Sequence, residues 1–323
     1  MQRTILLGFE PGMLSDAQIA QVRAAAPDMD VLVARDREQI EQVLDQVEIA
    51  AGGFPHDLIP RAHALRWYQQ WGAGADWLMR HPEAVELDFV LTNASGVHPI
   101  QIGEHILAFL LAFARGLHHA VRAQARREWV PYREQEDIFE LAGKTMLVIG
   151  VGAIGERTAR VATALGMRVW GVRRSGGVCV PCCVEAMFGP DQLLDLLPEA
   201  DFVVLTVPLT QETQGMIGER ELRVMKPTSY VVNIGRGGVI QEDALIRALR
   251  EGWVAGAGLD VFEVEPLPEP SPLWDMDNVI ITSHRAGITP HYHERALAIF
   301  LDNLRRYRAG EMLRNVVDKR AGY

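Results

Sequence analysis

Short apolar runs alternate with amphipathic stretches along the first third of the chain. Thr4-Ile-Leu-Leu-Gly8 and Asp30-Val-Leu-Val-Ala34 read as strands, and residues 15–26 and 38–44 carry the apolar spacing of helices. A strand-helix-strand-helix order predicts a parallel sheet, because parallel neighbours need a crossover between them. Further apolar runs at 47–51 and 65–69 add two strands, and the second leads into Trp71-Gly-Ala-Gly-Ala-Asp76. A glycine-rich turn at the C-terminal end of a strand is where α/β sheets place ligands.

Residues 100–115 form an apolar helix broken only by Gln101, Glu104 and His105, too hydrophobic for a surface helix and expected to lie buried between domains. Beyond a charged stretch at 122–140 a second alternation begins with Thr145-Met-Leu-Val-Ile-Gly150. Strand-like runs recur at 167–172, 202–206, 230–233, 255–259 and 279–282, and six strands suit a doubly wound dinucleotide fold. From Ala286 onward no strand pattern returns, while 291–308 looks helical and is expected to cross back to the first domain. The fold class is therefore α/β, with two Rossmann-like, doubly wound parallel-sheet domains and an active-site cleft between them. Residues 1–98 with 286–323 would form a flavodoxin-like substrate domain, and 99–285 the dinucleotide-binding domain.

A length of 323 residues suits two domains that each bury a core, and 48% hydrophobic with 23% charged residues is a globular composition. Asp and Glu total 42 against 32 Lys and Arg, a formal charge of −10 that argues against a nucleic-acid partner. The opening apolar run is too short for a signal peptide and is interrupted by Glu10 and Pro11. The longest greasy stretch, 106–114, is far short of the roughly 20 residues that span a bilayer, so the expectation is a cytoplasmic protein with no membrane partner. Cys179, Cys182 and Cys183 share one segment, which argues against a disulfide framework. They lack the fourth ligand and second paired motif of a zinc site, and are expected to be free thiols in a surface connection, with no metal.

Gly150-Val-Gly152-Ala-Ile-Gly155 follows an apolar strand at once and opens a helical pattern, the context a dinucleotide fingerprint requires. Its first glycine permits a tight turn, its second admits backbone to the pyrophosphate, and its third lets helix and strand pack closely. The anion then meets the free N–H groups and positive dipole end of the helix. The next strand ends in Arg173-Arg174-Ser175, where an NAD enzyme carries Asp or Glu for the ribose hydroxyls. Two arginines and a serine suit a 2′-phosphate instead, so NADP (NADPH) is the expected cofactor and NAD the less favoured one.

Arg236, Glu265 and His284 each lie just past the C-terminal end of an apolar strand, the active edge of an open parallel sheet. A bidentate arginine suits a carboxylate and an adjacent carbonyl, histidine is a natural general acid, and a glutamate beside it could orient the ring. Singly, each has a duller reading: a helix-capping arginine, a surface glutamate, a core histidine.

Together with their neighbours these residues resemble the D-isomer-specific 2-hydroxyacid dehydrogenase family, over nearly the whole chain. The matching stretches are Trp71-Gly-Ala-Gly-Ala-Asp76, Asn93-Ala-Ser-Gly-Val-His98 with Gly103-Glu-His105, the fingerprint, Val207-Pro-Leu-Thr210 with Glu212-Thr213, Val232-Asn-Ile-Gly-Arg-Gly237, Gly258-Leu-Asp-Val-Phe-Glu-Val-Glu-Pro-Leu267 and Ser283-His-Arg-Ala-Gly287. The resemblance implies that Arg236 binds substrate and polarises its carbonyl, that Glu265 pairs with His284, and that His284 donates the proton in reduction. It also implies that the Ala73 and Gly74 amides hold the substrate carboxylate. Ala153 and Ile154 would lie on the pyrophosphate, Pro208 on the adenosine side and Asp260 by the nicotinamide carboxamide. Val207, Thr213, Ile234, His284 and Ala286 complete the implied cofactor contacts.

The implied reaction reduces a small 2-keto acid, glyoxylate-like or hydroxypyruvate-like, to the D-2-hydroxy acid, and the implied assembly is a homodimer. Two departures stand out. Arg173 replaces the usual aspartate, and Arg285 follows the histidine where many relatives have an apolar residue, with no role assigned to it. Two rivals stay open: a dehydrogenase-fold nucleotide sensor, against which the complete set of three argues, and a formate dehydrogenase, which would carry glutamine where Glu265 stands.

Overall fold

Ile5, Leu6 and Leu7 leave no polar side chain for solvent, so the first strand must be covered on both faces, as happens in a parallel sheet. The computed structural model of the protein describes residues 3–9, 13–34, 36–130, 138–174 and 180–323. It divides into two units, Met1–Val97 with Thr289–Tyr323, and His98–Ile288.

In the first unit the chain runs β1 (Thr4–Gly8), α1 (Asp16–Ala25), β2 (Asp30–Ala34), α2 (Arg37–Val43), β3 (Val47–Gly52), β4 (Trp67–Gln69) and β5 (Val90–Thr92). All pairings are parallel, in the order β2-β1-β3-β4-β5, which is flavodoxin-like. Helix α1 begins at a capping box in which Ser15 accepts the Gln18 amide and the Gln18 side chain takes the Ser15 amide. The C-terminal helix α9 (Tyr292–Ala309) belongs to this unit. Its Ala296, Leu297, Phe300 and Leu304 share a core with Trp67 and Trp71, and the Phe300 ring stacks on Trp67 at 5.3 Å. Asn303, fully buried on the same helix, donates to Gln69 and to the Arg314 carbonyl, which satisfies its amide.

The second unit contains α3 (Pro99–Ala114), α4 (Leu117–Ala125), β6 (Thr145–Ile149), α5 (Ala153–Ala164), β7 (Arg168–Val172), β8 (Ala186–Phe188), α6 (Leu193–Leu196), β9 (Phe202–Leu205), α7 (Glu219–Val224), β10 (Tyr230–Asn233), α8 (Glu242–Glu251), β11 (Gly256–Leu259) and β12 (Val279–Ile281). Its sheet is seven-stranded, β12-β11-β10-β9-β6-β7-β8, again parallel throughout. The strand order reverses between β6 and β9, so their C-terminal ends form the switch point where such sheets bind ligands.

Three expectations change. The first sheet has a fifth strand, because Val90–Thr92 pairs with Trp67–Gln69. The second sheet has a seventh strand, because the half-buried Ala186-Met-Phe188 pairs with Trp170–Val172 at the sheet edge. Cys183 is no surface thiol: it is buried, its Sγ lies 3.6 Å from the Glu156 carbonyl, and burial pushes the thiol up from its ordinary range. Cys182 is exposed, and Cys179 lies outside the described residues. Helix α3 buries Ile106, Phe109, Leu110 and Phe113 in a core of the second unit with Met146, Val148 and Ala159. Among the described residues no single helix is long and apolar enough to cross a membrane.

Candidate active site

At the switch point β6 ends in a turn that only glycine can make. Gly150 has φ +102°, and a Cβ there would lie 2.8 Å from Val207 Cγ1. A Cβ on Gly155 would meet the Gly150 carbonyl at 2.5 Å, whereas one on Gly152 would meet nothing within 4 Å. The third glycine therefore serves helix-strand packing, and the second faces open space beside the N-terminus of α5, where no side chain caps the helix. That combination fits a pyrophosphate on the amides of Ala153 and Ile154.

The neighbouring loop, after β9, brings Val207 and Pro208 to the fingerprint. Thr213 braces this loop from within: its hydroxyl donates to the Pro208 carbonyl at 2.6 Å and accepts the Thr210 amide at 2.8 Å. Past the end of β7, the Arg173 amide donates to Phe188 in β8, and the Arg174 guanidinium lies 3.8 Å from Glu212, beside Thr213. The basic turn and the Pro208–Thr213 loop thus meet on one side of the fingerprint. Ser175 lies outside the described residues. Ile234 and Ala286 sit with their side chains in the core, so any ligand contact they make goes through the backbone.

Three polar strand ends on the other side of the switch point hold Arg236, Glu265 and His284. Asn233 closes β10. Its buried amide accepts from the Gly235 N–H at 3.1 Å and donates to the Arg236 carbonyl at 3.0 Å, clamping the turn that presents Arg236. The Arg236 guanidinium also donates to the Gly235 carbonyl at 2.8 Å. Gly237 follows because a Cβ would overlap the Phe262 carbonyl, so the Arg236 turn and the Glu265 loop pack backbone to backbone.

Glu265 receives the Phe262 amide on Oε1 at 3.0 Å and places Oε2 2.7 Å from His284 Nδ1. A carboxylate accepts, so Nδ1 is the donor in this pair and Nε2 is the nitrogen left for another partner. The ring is half exposed, at 50% of its side-chain surface. His284 adopts φ +48°, a left-handed conformation uncommon outside glycine. Asp260, buried at the end of β11, holds it there. Its carbonyl accepts the His284 amide at 2.8 Å, and its carboxylate accepts the Arg285 and Ala286 amides, each at 2.9 Å. Arg285 is thereby anchored through its backbone. Thr282 adds a hydroxyl bond to the same carboxylate at 2.5 Å, and His105 on α3 approaches that hydroxyl at 3.0 Å.

His98 is a further neighbour: a Cβ on Gly287 would touch its ring at 3.1 Å. Burial, with the positive charge of Arg236 nearby, pulls its imidazole down to about 4, so it is neutral at pH 7. Ala73 and Gly74 lie in the first unit, after β4. There Asn93 donates to the Ala73 carbonyl at 2.8 Å, and Gln70 reaches the carbonyls of Gly72 and Gly74.

Asn233, Thr282, His105 and His98 received no role from sequence. All four did carry a signal: Asn233 and Thr282 as the polar residues that close apolar strands, His105 as a polar break in an apolar helix, and both histidines as members of the matching stretches.

A family model for the D-isomer specific 2-hydroxyacid dehydrogenase, NAD binding domain, matches residues 107–286. The chain belongs to the D-isomer-specific 2-hydroxyacid dehydrogenase family, whose members are pyridine-nucleotide oxidoreductases. It is 34% identical over 302 residues to a glyoxylate reductase of Korarchaeum cryptofilum, covering 91% of this chain and 87% of that one. A D-isomer specific 2-hydroxyacid dehydrogenase from Xanthobacter autotrophicus, solved with NADPH and MES, superposes with a TM-score of 0.84 at 31% identity and covers 99% of both chains. An NADPH-dependent glyoxylate/hydroxypyruvate reductase from Sinorhizobium meliloti, solved with NADP and sulfate, gives 0.83 at 28% identity over 100% of both.

Proposed function

We propose that the protein reduces a small 2-keto acid, of the glyoxylate or hydroxypyruvate kind, to the D-2-hydroxy acid, with NADPH preferred over NADH. The observation that carries this reading is the 2.7 Å pair of His284 and Glu265, on the same sheet edge as Arg236 and the fingerprint. Relatives named as glyoxylate reductases, and neighbours solved with NADPH or NADP, support the substrate and cofactor classes.

When bound, the reduced cofactor supplies the hydride to the substrate's C2. Gly150, Gly152, Ala153, Ile154 and Gly155 would hold its pyrophosphate. Arg173, Arg174 and Ser175 would take the 2′-phosphate, Val207, Pro208 and the loop braced by Thr213 the adenosine side, and Asp260 with the Ile234 and Ala286 backbones the nicotinamide end. Arg236 binds the keto acid through carboxylate and carbonyl, as its planar fork allows, and stabilises the charge that develops on the ketone oxygen. His284 Nε2 gives that oxygen its proton, with Glu265 fixing the ring and supporting its charged form. The Ala73 and Gly74 amides are the candidates for the substrate carboxylate. A cytoplasmic homodimer completes the proposal, and light scattering of the purified protein tests the assembly.

The functional test is NADPH and NADH oxidation across a panel of 2-keto acids, with His284→Ala and Arg236→Ala as controls. Each variant should lose roughly 10²- to 10⁴-fold in rate, the scale of general acid or charge-stabilising groups. Tight NADPH binding without turnover on any keto acid would return the nucleotide-sensor reading.

A further inference from the structure

His284 is held in its left-handed turn by a line of hydrogen bonds that starts on a distant helix. His105, on α3, places Nε2 3.0 Å from Thr282 Oγ1. Thr282 donates its hydroxyl hydrogen to Asp260 Oδ1 at 2.5 Å, in the short range of bonds to a charged acceptor. The same oxygen accepts the Arg285 amide, and Oδ2 accepts the Ala286 amide, so the turn that carries His284 closes on one carboxylate.

The direction of the line is fixed by counting hydrogens. Thr282 has one, and it goes to Asp260; the bond from the imidazole must therefore be donated by His105 Nε2. The charged groups facing this ring are Asp260, whose Oδ1 is 3.8 Å away and favours protonation, and Arg285, which opposes it. Burial outweighs the carboxylate and pulls His105 below the ordinary histidine range, which makes it a neutral donor at Nε2. The Phe109 ring, one helical turn on, meets the imidazole edge-on at 4.8 Å and limits its rotation.

We infer that His105 is a positioning residue for the proposed reduction: its Nε2–H fixes the Thr282 hydroxyl on Asp260, and Asp260 fixes the turn that aims the His284 imidazole. The inference rests on the functional reading above for its kinetic effect, and on geometry alone for its effect on the His284–Glu265 bond. If the incoming donor is lost, only the bond to Asp260 holds the Thr282 hydroxyl in its rotamer, and other rotamers become more accessible to it. Asp260 then loses a bond on the oxygen it shares with Arg285, and nothing else described on the loop replaces it.

The test compares His105→Phe and Thr282→Val, which keep shape and remove one link each, with His105→Gln and Thr282→Ser, which keep a donor and a hydroxyl. In keto-acid reduction, kcat should fall roughly ten- to hundredfold in the first pair, the scale of a small misplacement of a reacting group. The KM for keto acid and the Kd for NADPH should stay within about threefold, and the second pair should recover most of the rate. Because both links act through Asp260, the double variant His105→Phe/Thr282→Val should be no slower than the slower single one. A second readout needs no turnover: the NMR signal of the His284 Nδ1 proton, identified by its loss in Glu265→Ala, should weaken in His105→Phe and Thr282→Val and return in His105→Gln. Full kcat with an intact Nδ1 signal in His105→Phe, or strictly additive losses, would overturn the inference. An inactive wild type with the predicted NMR pattern would instead overturn the functional reading and leave the positioning role standing.

Discussion

Glu265 Oε2 lies 2.7 Å from His284 Nδ1, while Oε1 of the same carboxylate accepts the Phe262 amide at 3.0 Å. Both bonds run into the carboxylate, which a glutamine cannot reproduce, since its side chain has one acceptor atom and one donor group. In Glu265→Gln the amide oxygen satisfies either Phe262 or His284. If it takes the backbone, the NH₂ group faces Nδ1 and selects the tautomer with a neutral Nε2–H, a poor proton donor. The expected result is a kcat for keto-acid reduction lower by about ten- to hundredfold, a typical fraction of a general acid's contribution. The KM for NADPH should hardly move. Unchanged kcat in this variant would separate Glu265 from the chemistry.

Gly237 and Gly238 are adjacent, yet their substitution should differ sharply. A Cβ at Gly237 would overlap the Phe262 carbonyl, whereas one at Gly238 reaches Leu209 at an ordinary 3.4 Å. Gly237→Ala must push the Arg236 turn away from the Glu265 loop, and an overpacked site costs about 1–3 kcal/mol. We expect it to lower the urea midpoint and to reduce activity more than stability explains, because two reactive groups separate. Gly238→Ala should do neither. Equal behaviour of the two variants would contradict the backbone contact.

These details mark where the sequence could be read and where it could not. Strands β1 and β6 announce themselves as uninterrupted apolar runs, and the fingerprint shows because its glycines follow one of them directly. Strands β5 and β8 were not read, although at three residues each they are no shorter than β4 and β12, which were; β8 follows a cysteine-bearing segment with no alternation. Cys183 looked like a surface thiol because its burial comes from α5, where Glu156 and Thr163 bond to it or to its carbonyl. Arg236, Glu265 and His284 were legible as polar residues past apolar strands. What orients them was not: His105 and Thr282 are 177 positions apart, and Thr282 and Asp260 are 22 apart. Only the folded sheet edge makes them neighbours.

Stability should begin to fall near pH 6.5, above the carboxylate range, and this part of the loss runs to about pH 4. His56 stacks on Trp77 at 3.9 Å and burial pulls it from 6.5 to about 4, as burial also does for His98. A histidine kept neutral in the fold contributes stability that is complete above its unfolded value, and the contribution is lost as pH falls towards the folded one. Asp57 and Asp302, held below the usual carboxylate range by Arg37 and Arg306, begin to contribute to the loss only as pH approaches their unfolded value of 3.8, so the upper part of the window reports the histidines. Urea unfolding at stepped pH should therefore show a slope in this window that flattens in His56→Phe, which keeps the stack and removes the titration. The same slope in both proteins would assign the effect elsewhere.

The proposed preference for NADPH rests on Arg173 and Arg174 at the end of β7. A hydrogen bond to a charged group contributes roughly 1.5–3 kcal/mol, and about 1.4 kcal/mol is tenfold, so one good contact supports about ten- to hundredfold discrimination for the 2′-phosphate. The two arginines should not double this in free energy. Arg174 has 60% of its side chain exposed and lies 3.8 Å from Glu212, which competes for its charge, and salt screens what remains. Arg173→Asp with Arg174→Ala should lose most NADPH efficiency through a raised KM and gain some use of NADH, as the new carboxylate can face the ribose hydroxyls. Raising the salt concentration should weaken NADPH binding more than NADH binding in the wild type, and affect the two alike in the double variant. The measurement that decides is kcat/KM for both cofactors at saturating keto acid. Equal values, or a preference for NADH, would mean that the guanidinium groups serve Glu212 and solvent, with no part in holding a phosphate.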